Sequence, residues 1–101
     1  MKSYKIINLK KFKNISGELL PITFDNNFPI KVKRIFFIYG KKKYKRGDHA
    51  HKKCSQVFYP LFGTAKITTQ FKKKKRNITL THKKNKALLV SPKTWCNVKF
   101  L

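Results

Sequence analysis

Arg46-Gly47-Asp48-His49-Ala50-His51, followed by Gln56 and Gly63, is the stretch on which the fold turns. On an extended strand, residues i and i+2 share a face. A strand through this segment therefore carries His49 and His51 side by side, about 7 Å apart along its length at the usual rise. Four residues separate His51 from Gln56, and six separate Gln56 from Gly63. Imidazoles change charge near neutral pH, and a neighbouring pair supplies both a proton acceptor and a proton donor. His49 and His51 are the candidate catalytic residues on that ground, and the surrounding sequence decides how much weight the pair carries.

Outward from this segment, the period is two. Ala65 to Phe71 places Ile67, Thr69 and Phe71 on one side, and Arg76 to His82 alternates through Ile78 and Leu80. With Lys72 to Lys75 as a charged connection, the two segments predict a hairpin. Trp95 to Phe100 alternates through Cys96, Val98 and Phe100. Lys31 to Tyr39 opens with alternation and ends as a solid apolar run, which predicts a strand entering a buried sheet. Gln56 to Phe62 and Lys86 to Val90 predict two more strands. Ser16-Gly17, Asp25-Asn26-Asn27, Gly40, Gly47-Asp48, Gly63 and Ser91-Pro92 fall where turns are needed. No segment keeps a 3.6-residue apolar stripe. Seven or eight short strands at roughly ten-residue spacing describe an all-β sandwich or small barrel, a single domain over residues 1–101.

Composition limits the function classes. Lys plus Arg number 26 against 3 acidic residues, a formal charge of +23, yet 41% of the chain is hydrophobic. Leu, Ile, Val and Phe together exceed the roughly 20% below which disorder is the default. No apolar run approaches the ~20 residues of a membrane-spanning helix. No apolar stretch follows the basic N-terminus as a signal peptide requires, so a cytoplasmic protein is expected. Cys54 and Cys96 make no disulfide framework and are expected as free thiols, Cys54 as a packing residue. The triplets Asn14-Ile15-Ser16 and Asn77-Ile78-Thr79 carry little weight without a secretory signal. Nearly all the cations are lysine, the pattern of an AT-rich coding sequence. Such bias does not account for Glu18, Asp25 and Asp48 being the only acids. The lysine runs at 41–45 and 72–75, read as solvated loop tips among aromatic residues, keep a nucleic acid or anionic membrane surface open as a partner.

The spacing His-x-His, four residues, Gln, six residues, Gly is that of the first cupin motif with Gln56 in the Glu position. The chain resembles the sugar 3,4-ketoisomerase cupins. The resemblance lies in Val32 to Tyr39, Arg46 to Lys53, Gln56 to Gly63 and Leu88 to Trp95, and runs from about Gly17 to Trp95. Arg46-Gly47-Asp48-His49-Ala50-His51-Lys52-Lys53 is its most specific part. It implies a cupin-type jelly-roll barrel of antiparallel strands, and a homodimer with an exchanged N-terminal strand. The implied activity moves the keto group of dTDP-4-keto-6-deoxyglucose from C4 to C3 through an enediol, for deoxysugar and surface-glycan biosynthesis. No cofactor and no metal are expected. Gln56 is neutral where a cupin metal site needs a carboxylate, and Cys96 stands where a third histidine is usual.

In that reading His49 and His51 are acid and base, with the order left open. Arg34 and Arg46 hold the diphosphate or the developing enolate. Trp95 walls the sugar, stacks on the base or fills the core, and Gln56 touches substrate or braces the barrel. Lys45, Arg46, Lys52 and Lys53 flank the histidines and are expected to favour neutral imidazole. His82 is expected as an exposed strand end. The chain departs from the family pattern in four places. Phe36 or Phe37 replaces a tyrosine, Ser16-Gly17 replaces Arg-Gly, and Pro92-Lys93-Thr94-Trp95-Cys96 replaces Pro-Gly-x-Trp-His. The chain also stops at Leu101, where family members continue for some tens of residues, so a C-terminally shortened barrel with an uncovered edge is expected. These departures bear on activity more than on fold, and leave a catalytically impaired nucleotide-sugar-binding cupin as the second reading.

Overall fold

The structure, a computed structural model, describes residues 4–50 and 52–101, apart from the side chain of His49. Among the described residues there are nine strands and no helix. They are β1 Tyr4–Asn8, β2 Phe12–Asn14, β3 Gly17–Leu19, β4 Lys45–Ala50, β5 Gln56–Phe58, β6 Thr64–Phe71, β7 Lys74–Thr81, β8 Lys86–Val90 and β9 Trp95–Phe100. A three-stranded sheet runs β1-β8-β5 and a four-stranded sheet runs β4-β9-β6-β7, both antiparallel, with β2-β3 as a separate hairpin.

The two larger sheets meet face to face through the residues that alternation marks as inward. Leu88 and Val90 come from one sheet, and Ile67, Leu80 and Val98 from the other. Tyr4, Ile6, Phe58, Ala65, Ile78 and Phe100 close around them. Leu88 is 0% exposed and is the centre of the core. Burying a side chain of that size is worth roughly 1.5–3 kcal/mol, and a strand exposes one in every two residues to such a gain. Ladder pairing and apolar burial thus select the same register.

Several expectations need correcting. Lys31 to Tyr39 forms no strand: it has no ladder partner, and Ile35, Phe36, Phe37 and Tyr39 are exposed. A run apolar on both faces signals burial only where the chain finds a partner strand and cover on both sides, which periodicity cannot report. The run ends at Gly40, where the ring of Phe100 occupies the place a Cβ would take. Gly47-Asp48 is not a turn but a bulge inside β4. The strand beginning at Gln56 leaves the sheet after Phe58. His82 is half-buried rather than an exposed strand end; its Nδ1 accepts the Gly63 N–H at 2.9 Å and its ring stacks on Phe62.

The β6–β7 hairpin is longer than expected. Phe71 pairs with Lys74, so only Lys72 and Lys73 turn the chain, with φ of 49° and 68°. Two left-handed residues in a two-residue loop are the requirement of a type I′ turn, which Asn-Gly meets without the steric cost an L side chain carries. Changing Lys72→Asn together with Lys73→Gly is expected to stabilise the fold by about 1–2 kcal/mol. At roughly 4–8 °C per kcal/mol this is a plain rise in Tm, measured by thermal melting.

Candidate functional site

At one side of the sandwich the edges β4 and β5 enclose a cleft of about 500 Å³. Arg46 and Gly47 of β4, Gln56 and Phe58 of β5, and Cys96, Asn97 and Val98 of β9 form its walls. The unpaired segment supplies Arg34, Phe36, Phe37, Ile38 and Tyr39 along the rim, where the Arg34 guanidinium lies 5.3 Å from the Phe36 ring centre. This segment, read as a strand from sequence, borders the site instead.

The bulge sets the geometry of β4. Gly47 pairs with Asn97 and His49 with Cys96, leaving Asp48 as the extra residue. Gly47 has φ of 104° and Asp48 of 59°, a left-handed pair. The Asn97 Nδ2 donates to Asp48 Oδ1 at 3.0 Å and pins the bulge to β9. Without the extra residue, Asp48 rather than His49 would stand opposite Cys96, since one residue of slip exchanges the faces of a strand. Extra residues of this kind recur beside functional sites because they re-aim the side chains next to them.

Charge in the cleft has one sign. Arg34 and Arg46 are its cations, and no carboxylate is among its lining residues. The three acids of the chain each have a partner of their own. Glu18 lies 3.0 Å from Lys11 Nζ, which holds its carboxyl below the usual range. Asp25 Oδ1 accepts the Asn27 N–H at 2.9 Å, and Asp48 is held by Asn97. Two guanidinium groups facing an aromatic rim suit an anionic group attached to a flat ring.

Of the residues singled out from sequence, Arg34, Arg46 and Gln56 line the cleft together. Trp95 does not: it alternates with Cys96 along β9 and pairs with Ala50 and Gln70. The backbone of His49 stands opposite Cys96, while its side chain and the whole of His51 lie outside the described residues. Sequence reasoning missed Phe58, Asn97, Val98, Ile38 and Tyr39 as lining residues. The alternation Cys96-Val98-Phe100 marked the inward side of β9, and only strand order could bring it beside β4.

Both thiols are free. Cys54 is exposed rather than a packing residue, and Cys96 is buried at 4% exposure. Burial pushes the Cys96 thiol above its ordinary 9.0. Since the thiolate is the nucleophile, iodoacetamide at pH 8 is expected to alkylate Cys54 first in the folded protein and both cysteines at similar rates in urea. Peptide mass mapping reads the difference.

Comparison with known proteins adds three findings. Residues 2–101 match the family model described as FdtA: WxcM-like, C-terminal. Over 64 residues the chain is 39% identical to the TDP-4-oxo-6-deoxy-alpha-D-glucose-3,4-oxoisomerase of Aneurinibacillus thermoaerophilus, a match covering 62% of this chain and 46% of that relative. The matched stretch is therefore less than half of that curated protein's length. Among solved structures, a mutant of the 3,4-ketoisomerase QdtA from Thermoanaerobacterium thermosaccharolyticum, in complex with TDP-4-keto-6-deoxyglucose, superposes with a TM-score of 0.89 at 27% identity, covering 99% of this chain and 72% of that one. A 3,4-ketoisomerase from Helicobacter canadensis superposes with a TM-score of 0.90 at 27% identity, covering 100% and 76%. The fold is thus the all-β, cupin-like fold of those structures.

Proposed function

The chain belongs to the family described as FdtA: WxcM-like, C-terminal, and from that premise we propose that it is a sugar 3,4-ketoisomerase acting on TDP-4-keto-6-deoxyglucose. The observation that carries the reading is the cleft itself: Arg34, Arg46 and Gln56 meet there, without a carboxylate among the lining residues, beside the strand that bears His49. Arg34 and Arg46 take the diphosphate through charge-assisted bonds. Phe36 and Phe37, both on the rim, offer apolar surface to the base and sugar.

The reaction needs two proton transfers at adjacent carbons. One imidazole of the pair His49 and His51 removes the C3 proton while the C4 carbonyl oxygen gains one, giving a C3–C4 enediol. The C3 hydroxyl then loses its proton as the C3 carbonyl forms, and C4 receives a proton. Nothing is oxidised or reduced overall. Phe36 and Phe37 carry no hydroxyl, which supports assigning both the acid and the base to the imidazoles. Gln56 is neutral and gives a hard cation no anionic oxygen, which supports proton transfer by imidazole alone. We place the enzyme in the cytoplasm, in deoxysugar synthesis for surface glycans.

We further place it as a homodimer with exchanged N-terminal strands. Exposed Ile35, Phe36, Phe37 and Tyr39, close together along the chain, support a covered face, because clustered exposed apolar residues mark interaction surfaces. Within one chain β1 already pairs with β8, from Tyr4 opposite Val90 to Asn8 opposite Lys86, and exchange would transfer that same ladder to a second copy.

The activity is tested by incubating the protein with TDP-4-keto-6-deoxyglucose and following the ketone by carbon NMR. The expected result is loss of the C4 carbonyl signal as a C3 carbonyl appears. An unchanged spectrum with saturable TDP binding overturns catalysis in favour of a nucleotide-sugar-binding protein.

A further inference from the structure

Behind the cleft, the far face of the four-stranded sheet carries different chemistry. Cys96, Val98 and Phe100 of β9, and Ala65, Ile67 and Thr69 of β6, turn inward. Alternation puts Trp95 and Lys99, and Lys66 and Gln70, on the outer face, while Asn97 and Thr68 between them are buried at 7% exposure and Asn97 also reaches the cleft wall. Lys45 pairs with Lys99, and Lys99 with Lys66. Three lysines thus stand abreast on adjacent strands spaced about 4.8 Å apart. Like charges directly opposed destabilise a sheet; Glu18 and Asp25 are engaged elsewhere, and Asp48, the one acid near this face, is bonded to Asn97 in the next row.

The next row across the sheet is polar. Asn97 donates to Asp48, and the Thr68 hydroxyl donates to Asn77 Oδ1 at 2.8 Å. Beyond it lies a row of Trp95, Gln70 and Lys75, and the exposed cations of the hairpin tip, Lys72 to Lys74, continue from there. Lysine ammonium groups suit phosphates, the exposed Gln70 amide suits a base edge, and an aromatic ring suits a base plane.

We propose that this outer face binds single-stranded nucleic acid. A flat sheet that combines cations with an aromatic side chain is a stacking platform for unpaired bases. A bilayer surface fits less well, because Trp95 alone is large and apolar among these three rows. The binding does not depend on the isomerase reading.

Fluorescence anisotropy of a labelled oligothymidylate of about twelve nucleotides, titrated with the full chain at several salt concentrations, is the test. Binding is expected to weaken with salt by about 0.7 log units per phosphate per log unit of salt. The double variant Lys66→Thr/Lys99→Thr is expected to bind about fivefold more weakly or worse, with a salt slope shallower by about 1.4. Lys83→Thr/Lys84→Thr removes the same charge at the β7–β8 turn and is expected to keep affinity within about twofold, and both double variants to keep wild-type ketone transfer. In the unmodified protein, the fluorescence of the single tryptophan is expected to be quenched by the oligonucleotide, a readout independent of any variant. No binding at low salt, no quenching, or equal loss in the two double variants overturns the proposal. So does binding of phosphatidylglycerol vesicles in place of the oligonucleotide.

Discussion

Replacing His49 or His51 by Asn is expected to slow conversion of TDP-4-keto-6-deoxyglucose by about 10²–10⁴-fold, the usual worth of a positioned general acid or base. Asn keeps much of the shape and a hydrogen-bonding end but cannot carry a proton near neutral pH. Binding of TDP should change little, because the diphosphate is assigned to Arg34 and Arg46. The comparison is kcat and TDP affinity for each variant, with a thermal melt to confirm folding. A drop in affinity with kcat preserved would move the histidines from the chemistry to binding. Unchanged kcat in both would remove the proposed catalyst.

The second large effect is expected at Gly47, far smaller as a side chain than in consequence. Its φ of 104° lies where L side chains are strained. An added Cβ would sit 3.1 Å from the Cys96 carbonyl oxygen and 3.3 Å from Asn97 Cα, and both are backbone atoms of the neighbouring strand. Gly47→Ala should therefore cost about 1–3 kcal/mol in strain alone. That corresponds to roughly 4–8 °C of Tm per kcal/mol in a domain of this size. If the chain relaxes by losing the bulge, Asp48 takes the position opposite Cys96 and the strand bearing His49 reverses its faces. Thermal melting and turnover should then fall together. Wild-type values for both would show that the bulge does not set the register of the site.

Much of the fold is legible in the sequence because alternation is a local signal. β8, β9 and most of the β6–β7 hairpin can be read from Lys86 to Val90, Cys96-Val98-Phe100 and Ile67/Ile78, since each buries one face against the same core. Lys31 to Tyr39 misleads for the same reason: an apolar run reports what the chain would bury, not whether a partner strand arrives. Gly47-Asp48 looks like a turn because turns and bulges both need left-handed residues, and only the pairing with Asn97 and Cys96 distinguishes them. For the site, the motif spacing singles out Arg46 and Gln56, which line the cleft, and proposes the histidine pair, while Arg34 comes from the wider resemblance. Phe58, Asn97 and Val98 reach the cleft through strand order, which no linear pattern states. Trp95 stands beside a motif and so suggests a substrate contact, whereas period two carries it to the opposite face from Cys96.

Deuterium exchange at C3 of TDP-4-keto-6-deoxyglucose in heavy water tests the central claim most directly, because it reports proton abstraction whether or not product accumulates. Proton NMR should show the C3 signal vanishing in the presence of the protein and persisting with the His49→Asn and His51→Asn variants. A C3 proton retained by the unmodified protein under conditions where TDP binds would contradict the account.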